Sequence, residues 1–580
     1  MFLTGKSISS RIVMGEVLKY VPFSCDRSLR KNENEGAQEL TKQYYATKER
    51  AMQELIKLGE RIEQTGNSEN TAFVFAHQEI LSDPTMDKEI VELIGDEAYC
   101  PDSAIIKIYE KYIKIFSKSK NKVIQERASD LHDVQTRLLR CWHHMPEKNL
   151  SSLDRPCIVV AEELFPSDTL GLDQKNILGI ITQNGGTTSH TAIIARSMEI
   201  PALLGVSGIV DAVHDGEFVI LDGVRGRALL DPDAETQQEY TAHIAKAERE
   251  LAITRRYFQK TAETLDGTCM ELRVNIASDE LHRLDRVPYL DGVGLFRSEF
   301  LYLSQDSLPS EESQFEAYKT VAEAFKGKPV VLRTLDIGGD KQVSYMDLPH
   351  EENPFLGNRG LRLCLSREDL FRSQLRAALR ASAYGDLRIM FPMVTSLNEL
   401  RQAKKILLDV EDELTAEKIA WNPQIKVGIM IEVPAIALIA DQIVDEVDFV
   451  SVGTNDLCQY LCAADRMNAD VKAYYQDYHP AMFRLLSELV KVFAPAGKCL
   501  SICGELAGDT LVQPLLVGLG VRTLSMDVTS IARAKRVIRH LKLEETQQLA
   551  TQVLQMKTND EIVGCLNKFA DMLRAREAEL

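Results

Sequence analysis

Hydrophobic and polar positions change rhythm three times along the chain. From about residue 35 to 145, apolar residues recur at helical spacing between long charged faces, as in GAQELTKQYYATKERAMQELIKLGERI and NKVIQERASDLHDVQTRLLRCW. A helical bundle follows from that period. After a short strand-like opening of the chain, β-rich runs return only beyond the bundle: CIVVAEEL (157–164), ILGIIT (177–182), FVILDG (218–223) and RALLDP (227–232), with an apolar helix starting near Ser189. This alternation predicts a compact α/β domain. From Asp233 to about Leu265 the sequence is polar, helical and almost free of breakers, as expected of a helical linker.

The rest of the chain parses as eight apolar strands separated by helical stretches: LRVNIA (272–277), GVGLFR (292–297), VVLRTL (330–335), LRIMFPM (387–393), IKVGIMIE (425–432), VDFVSVG (447–453), CLSIC (499–503) and TLSM (523–526). Eight such units predict a (β/α)8 TIM barrel. The expected fold class is multidomain α/β: a helical bundle of 26–145 inserted in an α/β domain of 1–25 and 146–232, a linker of 233–262, and a barrel of 263–580.

Composition narrows the function. The 580 residues exceed what one core accommodates, and 45% hydrophobic with 27% charged residues is an ordinary globular balance. A net charge of −18 excludes nucleic acid as a partner, because phosphate backbones are held by clustered Lys and Arg; it suits solubility or a basic protein partner. No apolar run is long enough to cross a bilayer and the first residues lack a signal-peptide core, so the expectation is a cytoplasmic protein with no membrane partner. Eleven scattered cysteines do not resemble a disulfide framework. Cys458/Cys462 and Cys499/Cys503 have C-x3-C spacing rather than the C-x2-C of zinc sites, and the first pair reads as packing.

Reactive side chains fall at or just beyond the predicted strand C-termini: Arg297, Arg333, Asp336, Glu432, Asn455, Asp456 and Cys503. In such barrels that rim is the active face. Arg297 and Arg333 at matched positions suit a small, highly anionic substrate, although each alone reads equally well as a salt bridge at the mouth. Arg359, Arg362 and Arg466 add cations for the same pocket. Glu432 and Asp456, on neighbouring strands, can converge on Mg2+, or can cap loops. Cys503 is placed to donate a proton, or to pack as a buried cysteine. In the α/β domain, NGGTTSHTAIIARS sets two glycines and three hydroxyl residues before a helix whose first turn holds His190. A helix N-terminus favours an added phosphoryl group, and imidazole is a competent nucleophile; a merely capping histidine is the alternative.

The segments GGTTSHTAIIARSMEIPALLG, LFRSEFLY, RTLDIGGDK, NPFLGNRG, IMFPM, IEVPA, SVGTNDLCQY and CGELAGD, in this order along essentially the whole chain, resemble the Enzyme I family, the phosphoenolpyruvate-protein phosphotransferases of bacterial sugar uptake. Relatives such as pyruvate phosphate dikinase carry a further nucleotide-binding domain for which this sequence has no room. The resemblance implies a swivelling phosphohistidine domain, with His190 phosphorylated at Nε2, Thr169 orienting its ring, and the helical insertion docking the carrier protein HPr. It implies that Arg297, Arg333, Asn455, Asp456 and Arg466 hold phosphoenolpyruvate and that Lys341 and Arg359 assist at the phosphoryl end. Glu432 and Asp456 would bind magnesium, Cys503 would protonate the enolate of pyruvate, and the barrel would form a homodimer. Two positions depart from the family pattern: Thr187 stands where Arg is usual, and Asn358 where Trp is usual, beside Arg359 at the expected pocket floor. A competing expectation is a scaffold paralogue that binds phosphoenolpyruvate or a carrier without efficient turnover.

Overall fold

The computed structural model describes the chain except residues 1, 10, 21–24, 33–35, 65–67, 118–121, 146–149, 151–152, 165–171, 174, 187–188, 199, 277–285, 304–306, 340–342, 347, 350 and 580, and except some side chains within elements, that of His190 among them. Thr169, Thr187 and Lys341 therefore lie outside the described residues. The chain forms two compact units, 1–247 and 248–580.

In the first unit, five helices cover Ala37–Gln64, Ser68–Leu81, Pro84–Gly95, Pro101–Ser117 and Lys122–Trp142. Leu55, Ile90, Ile105, Val134 and Leu138, each fully buried, belong to their shared core. Asp83 starts the third of these helices by accepting the Thr85 and Met86 amides, with Pro84 at the first position, where the missing N–H costs nothing. The α/β part is an eight-stranded mixed sheet of β1 (Phe2–Thr4), β2 (Lys6–Ser7), β3 (Ile12–Tyr20), β4 (Cys157–Ala161), β5 (Ile177–Thr182), β6 (Ala202–Leu204), β7 (Phe218–Asp222) and β8 (Arg227–Leu230). Its order is β1-β8-β7-β3-β4-β5-β6-β2, so β3, β4 and β5 run parallel at its centre. Each of the four runs read as strands in this region holds one. One unbroken helix, Ala234–Tyr257, occupies the segment read as a linker.

The second unit contains a closed parallel barrel of β9 (Glu271–Ile276), β10 (Val293–Arg297), β11 (Pro329–Arg333), β12 (Asp386–Phe391), β13 (Val427–Ile431), β14 (Phe449–Val452), β15 (Cys499–Ile502) and β16 (Thr523–Met526), with β16 pairing back to β9. All eight expected strands are present. Parallel strands buried on both faces read as continuous apolar runs, so this part of the fold is written plainly in the sequence. Leu295, Val331, Met390, Met430, Phe449 and Cys503 form a small cluster of their own, distinct from the large core that includes the surrounding helices. Cys503 thus lies among apolar neighbours, directly beyond the end of β15.

Candidate active site

Strand register brings the two expected arginines together. Arg297 and Arg333 are paired residues at the ends of β10 and β11. Their environments nevertheless differ. Arg297 is exposed, with no hydrogen bond or ion pair among the described residues. Arg333 is buried: its Nη2 donates to Glu299 Oε1 at 2.5 Å and its Nη1 lies 3.0 Å from Asp336 Oδ2, with 6% of the arginine side chain and 4% of the glutamate exposed. Burial disfavours its charge, but Glu299 and Asp336 more than offset that, so the guanidinium stays fully ionised.

Arg359 extends the chain of charges. Its Nε and Nη2 donate to the two oxygens of Asp336 at 3.0 and 3.1 Å, and its Nη1 and Nη2 donate to the two oxygens of Asp456, each at 3.2 Å. Asp456 sits in the first turn of the helix Thr454–Cys462 that follows β14, and Arg466 Nη2 approaches its Oδ1 at 4.0 Å. The result is an alternating series, Glu299, Arg333, Asp336, Arg359, Asp456, that spans the barrel mouth. Removing any one member would strip each of its buried neighbours of one ion-pair partner.

Glu432, the residue after β13, accepts the Met393 amide on Oε1 at 2.7 Å, whereas its buried Oε2 has no hydrogen-bond partner among the described residues. A side chain at Gly453 would place a Cβ 2.9 Å from that oxygen, so the glycine keeps its surroundings open. Burial, reinforced by Asp456 and Asp336, pushes the Glu432 carboxyl up to about 8 despite the opposing Arg333 and Arg359. A hard cation beside it would reverse that logic. The donor set therefore fits magnesium: Glu432 offers an unpartnered oxygen, and each Asp456 oxygen, though it takes one Arg359 bond, retains a lone pair.

Asn455 accepts the Glu505 amide at 2.9 Å and donates to the Glu505 carboxylate at 3.2 Å, while Tyr475 donates to its carbonyl. These bonds tie the turn after β14 to the GEL turn after β15. Cys503 is buried, its Sγ donating to Val452 O at 3.5 Å. Burial first, and Glu432 further, push its thiol up to about 11, so it is protonated at neutral pH.

Two sequence readings need correction. Arg362 does not join this cluster: its Nη1 donates to the carbonyls of Leu356 and Gly357, because the tight turn before its helix leaves those acceptors unsatisfied. Asn358 is exposed, with its amide nitrogen bonded to Ser366 Oγ, so it is not a pocket-floor residue although its chain neighbour Arg359 is buried. Glu299 and the buried Gln374 escaped the sequence reading. Gln374 accepts the Leu335 amide at 2.8 Å and donates to Ser298 Oγ at 3.0 Å, and Ser298 in turn donates to Arg333 O at 2.9 Å. The one usable signal was Glu299 lying two residues past Arg297, at the rim.

In the first unit, β5 leads through Thr182, whose hydroxyl donates to Asn184 O at 2.6 Å, and through Gly185 at φ +99°, to the helix His190–Ser197. Gly185 occupies a conformation that side chains disfavour, which explains one of the two glycines. Ser189 caps the helix by accepting the Ala192 amide at 3.3 Å, and the Thr191 hydroxyl fastens its first turn to Leu164 O at 3.2 Å. His190 is the first residue of this helix, where amide N–H groups and the helix dipole favour an anion.

A barrel with arginines and carboxylates at its mouth, and a separate helix N-terminus bearing a histidine, suit an enzyme that acts on a small anionic substrate. Models of the PEP-utilising enzymes match in three places: the PEP-binding domain over residues 252–543, the mobile domain over 153–226 and the N-terminal domain over 4–127. The phosphoenolpyruvate-protein phosphotransferase of Priestia megaterium is 41% identical over 89% of this chain and 90% of its own, and that of Staphylococcus aureus (strain MSSA476) is 42% identical over the same shares. A solution NMR structure of an Enzyme I protein aligns with 42% of this chain and 99% of its own at 30% identity, with a TM-score of 0.39. This chain belongs to the phosphoenolpyruvate-protein phosphotransferase family, Enzyme I.

Proposed function

We propose that this chain takes the phosphoryl group of phosphoenolpyruvate onto His190 Nε2 and passes it to the carrier HPr, as the first step of sugar phosphotransfer. The observation that carries this reading is the barrel mouth: the exposed guanidinium of Arg297 and an oxygen of Glu432, both without a partner among the described residues, stand beside the prearranged series from Glu299 to Asp456. Arg297, Arg333, Asn455, Asp456 and Arg466 hold the substrate, with Lys341 and Arg359 at its phosphoryl end. Thr169 orients the His190 ring. Glu432 and Asp456 would hold magnesium, which would supply positive charge beside the phosphoryl group. As the P–O bond to the enol oxygen breaks and the bond to Nε2 forms, the arginines neutralise charge on the departing enolate. The Cys503 thiol then gives its proton to the methylene carbon, yielding pyruvate, and is reprotonated from solvent.

The domain roles follow. Residues 1–25 and 146–232 form the phosphohistidine domain, 26–145 the carrier-docking domain, 233–262 the linker and 263–580 the barrel. Exposed Ile56, Phe75 and Ile115 on the bundle supply apolar surface for HPr. A homodimer forms through the barrel, where a groove of about 570 Å3 is lined by Leu438, Leu461, Leu485 and Met556, and Leu438 is 75% exposed. The site of action in this reading is the cytoplasm; among the described residues no helix is long and apolar enough to cross a membrane. Incubation with labelled phosphoenolpyruvate, magnesium and purified HPr tests the proposal. Label on HPr together with released pyruvate, both dependent on magnesium, is expected; pyruvate release without label on protein would contradict it.

A further inference from the structure

Cys503 stands one residue beyond β15, where the barrel's hydrogen-bond ladder runs out. The last pairs joining β15 to β16 are Ser501 with Thr523 and Ile502 with Leu524. On one side the residue is still secured, since its amide donates to Val452 O at 3.1 Å and its thiol to the same oxygen at 3.5 Å. On the other side its carbonyl has no ladder partner. Asn275, near the end of β9, supplies one: its Nδ2 donates to Cys503 O at 3.1 Å. The amide is itself fixed, because its Oδ1 accepts the Ser525 hydroxyl at 2.7 Å and its Nδ2 also lies 3.4 Å from Ser525 O. Gly294 on β10 makes room for this arrangement, as a Cβ there would come within 2.3 Å of Ser525 Oγ. One side chain thus joins three strands at the seam where the barrel closes, and it does so on the peptide that carries the reactive thiol.

We infer that Asn275 is a positioning residue for proton transfer by Cys503, with Ser525 setting its orientation. The inference rests on the proposed role of Cys503 as proton donor. Its physical basis is that a buried carbonyl seeks a donor, and that a proton donor must be held within a fraction of an ångström of its carbon to be effective. Among the described residues the hydrogen bonds of the Asn275 side chain go to Cys503 and Ser525 and not to the arginines or carboxylates of the mouth, so its removal acts on the proton step and leaves substrate binding in place. In the reverse direction the same sulfur, as thiolate, removes a methyl proton of pyruvate, so exchange of that proton with solvent reports the step directly.

The test uses the full chain with Asn275→Asp, Asn275→Ala and Cys503→Ala. Asn275→Asp has the same shape and still accepts from Ser525, but presents an oxygen where Cys503 O needs an N–H. Turnover with HPr and exchange of the pyruvate methyl protons in heavy water should both fall at least about tenfold in the two Asn275 variants, with phosphoenolpyruvate affinity held within about twofold. Parental exchange in Asn275→Asp, with Cys503→Ala slow, overturns this inference alone. Parental exchange in Cys503→Ala overturns the proton-donor reading itself. A parallel loss of exchange, affinity and melting temperature in both Asn275 variants shows a merely structural role and likewise overturns the inference.

Discussion

Under the proposed function, the barrel mouth and the His190 turn prepare for the same phosphoryl group by different means. At the mouth, charged side chains drawn from distant parts of the sequence are buried and paired: Glu299 with Arg333, Asp336 with both Arg333 and Arg359, and Arg359 with Asp456. The His190 turn instead relies on what lies close in sequence, namely a left-handed glycine, a serine cap and the amides of one short helix. The first arrangement suits cleaving a highly charged acid, since the electrostatic order exists before substrate arrives. The second suits a group that is received and then released. Long-range ion pairs make a site rigid, whereas a local turn can present the same chemistry to two different partners.

The largest effect expected from breaking this comparison lies in the turn. His190→Ala should lower phosphorylation of HPr by at least about 10^4-fold while phosphoenolpyruvate still binds at the barrel, as measured by calorimetry with magnesium. Next comes the proposed proton donor: Cys503→Ala should slow turnover by about 10^2- to 10^4-fold with little change in affinity. The thiol must be protonated to act, and its pKa is pushed up to about 11, so turnover limited by this step should be flat through neutral pH and fall only as pH rises towards 11. A fall centred near pH 8 to 9 would assign the proton to another group.

The two paired arginines at the mouth sharpen the contrast further. Arg297 is exposed and free among the described residues, so Arg297→Ala should weaken substrate binding by roughly 10- to 100-fold, the worth of a charge-assisted hydrogen bond, with melting unchanged. Arg333→Ala should additionally cost about 3–5 kcal/mol of stability in denaturant titration, because buried Glu299 loses its ion pair with Arg333 and Asp336 is left with Arg359 as its ion-pair partner. Equal melting for the two variants would show that the paired series is not structural. The smallest effect belongs to Asn358→Trp: at an exposed position bonded to Ser366, it should move stability by no more than about 0.5 kcal/mol and leave turnover near the parental value.

What the sequence made legible follows the same division. The eight barrel strands stood out because burial on both faces produces unbroken apolar runs, and the His190 turn stood out because its parts are contiguous. Asp336 and Asp456 were visible at the rim and Arg359 as a cation for the same pocket, but their pairing was not, since nothing local joins Arg359 to Asp456 across nearly a hundred residues. Arg362 illustrates the limit from the other direction: three residues from Arg359 and identical in type, it is spent on two loop carbonyls. Strand β3 was visible only as a vague strand-like opening because Glu16 and Lys19 interrupt its apolar pattern. The short β1, β2 and β6 carry too few residues to establish a period.

The central claim, that the barrel cleaves phosphoenolpyruvate and hands its phosphoryl group to His190, is tested most directly by locating the bound label. The full chain is incubated with labelled phosphoenolpyruvate and magnesium without carrier, then digested under alkaline conditions that preserve phosphohistidine. The account predicts one acid-labile label on the peptide containing His190, and none in His190→Ala. Label on any other residue, or undiminished labelling of His190→Ala, would contradict it.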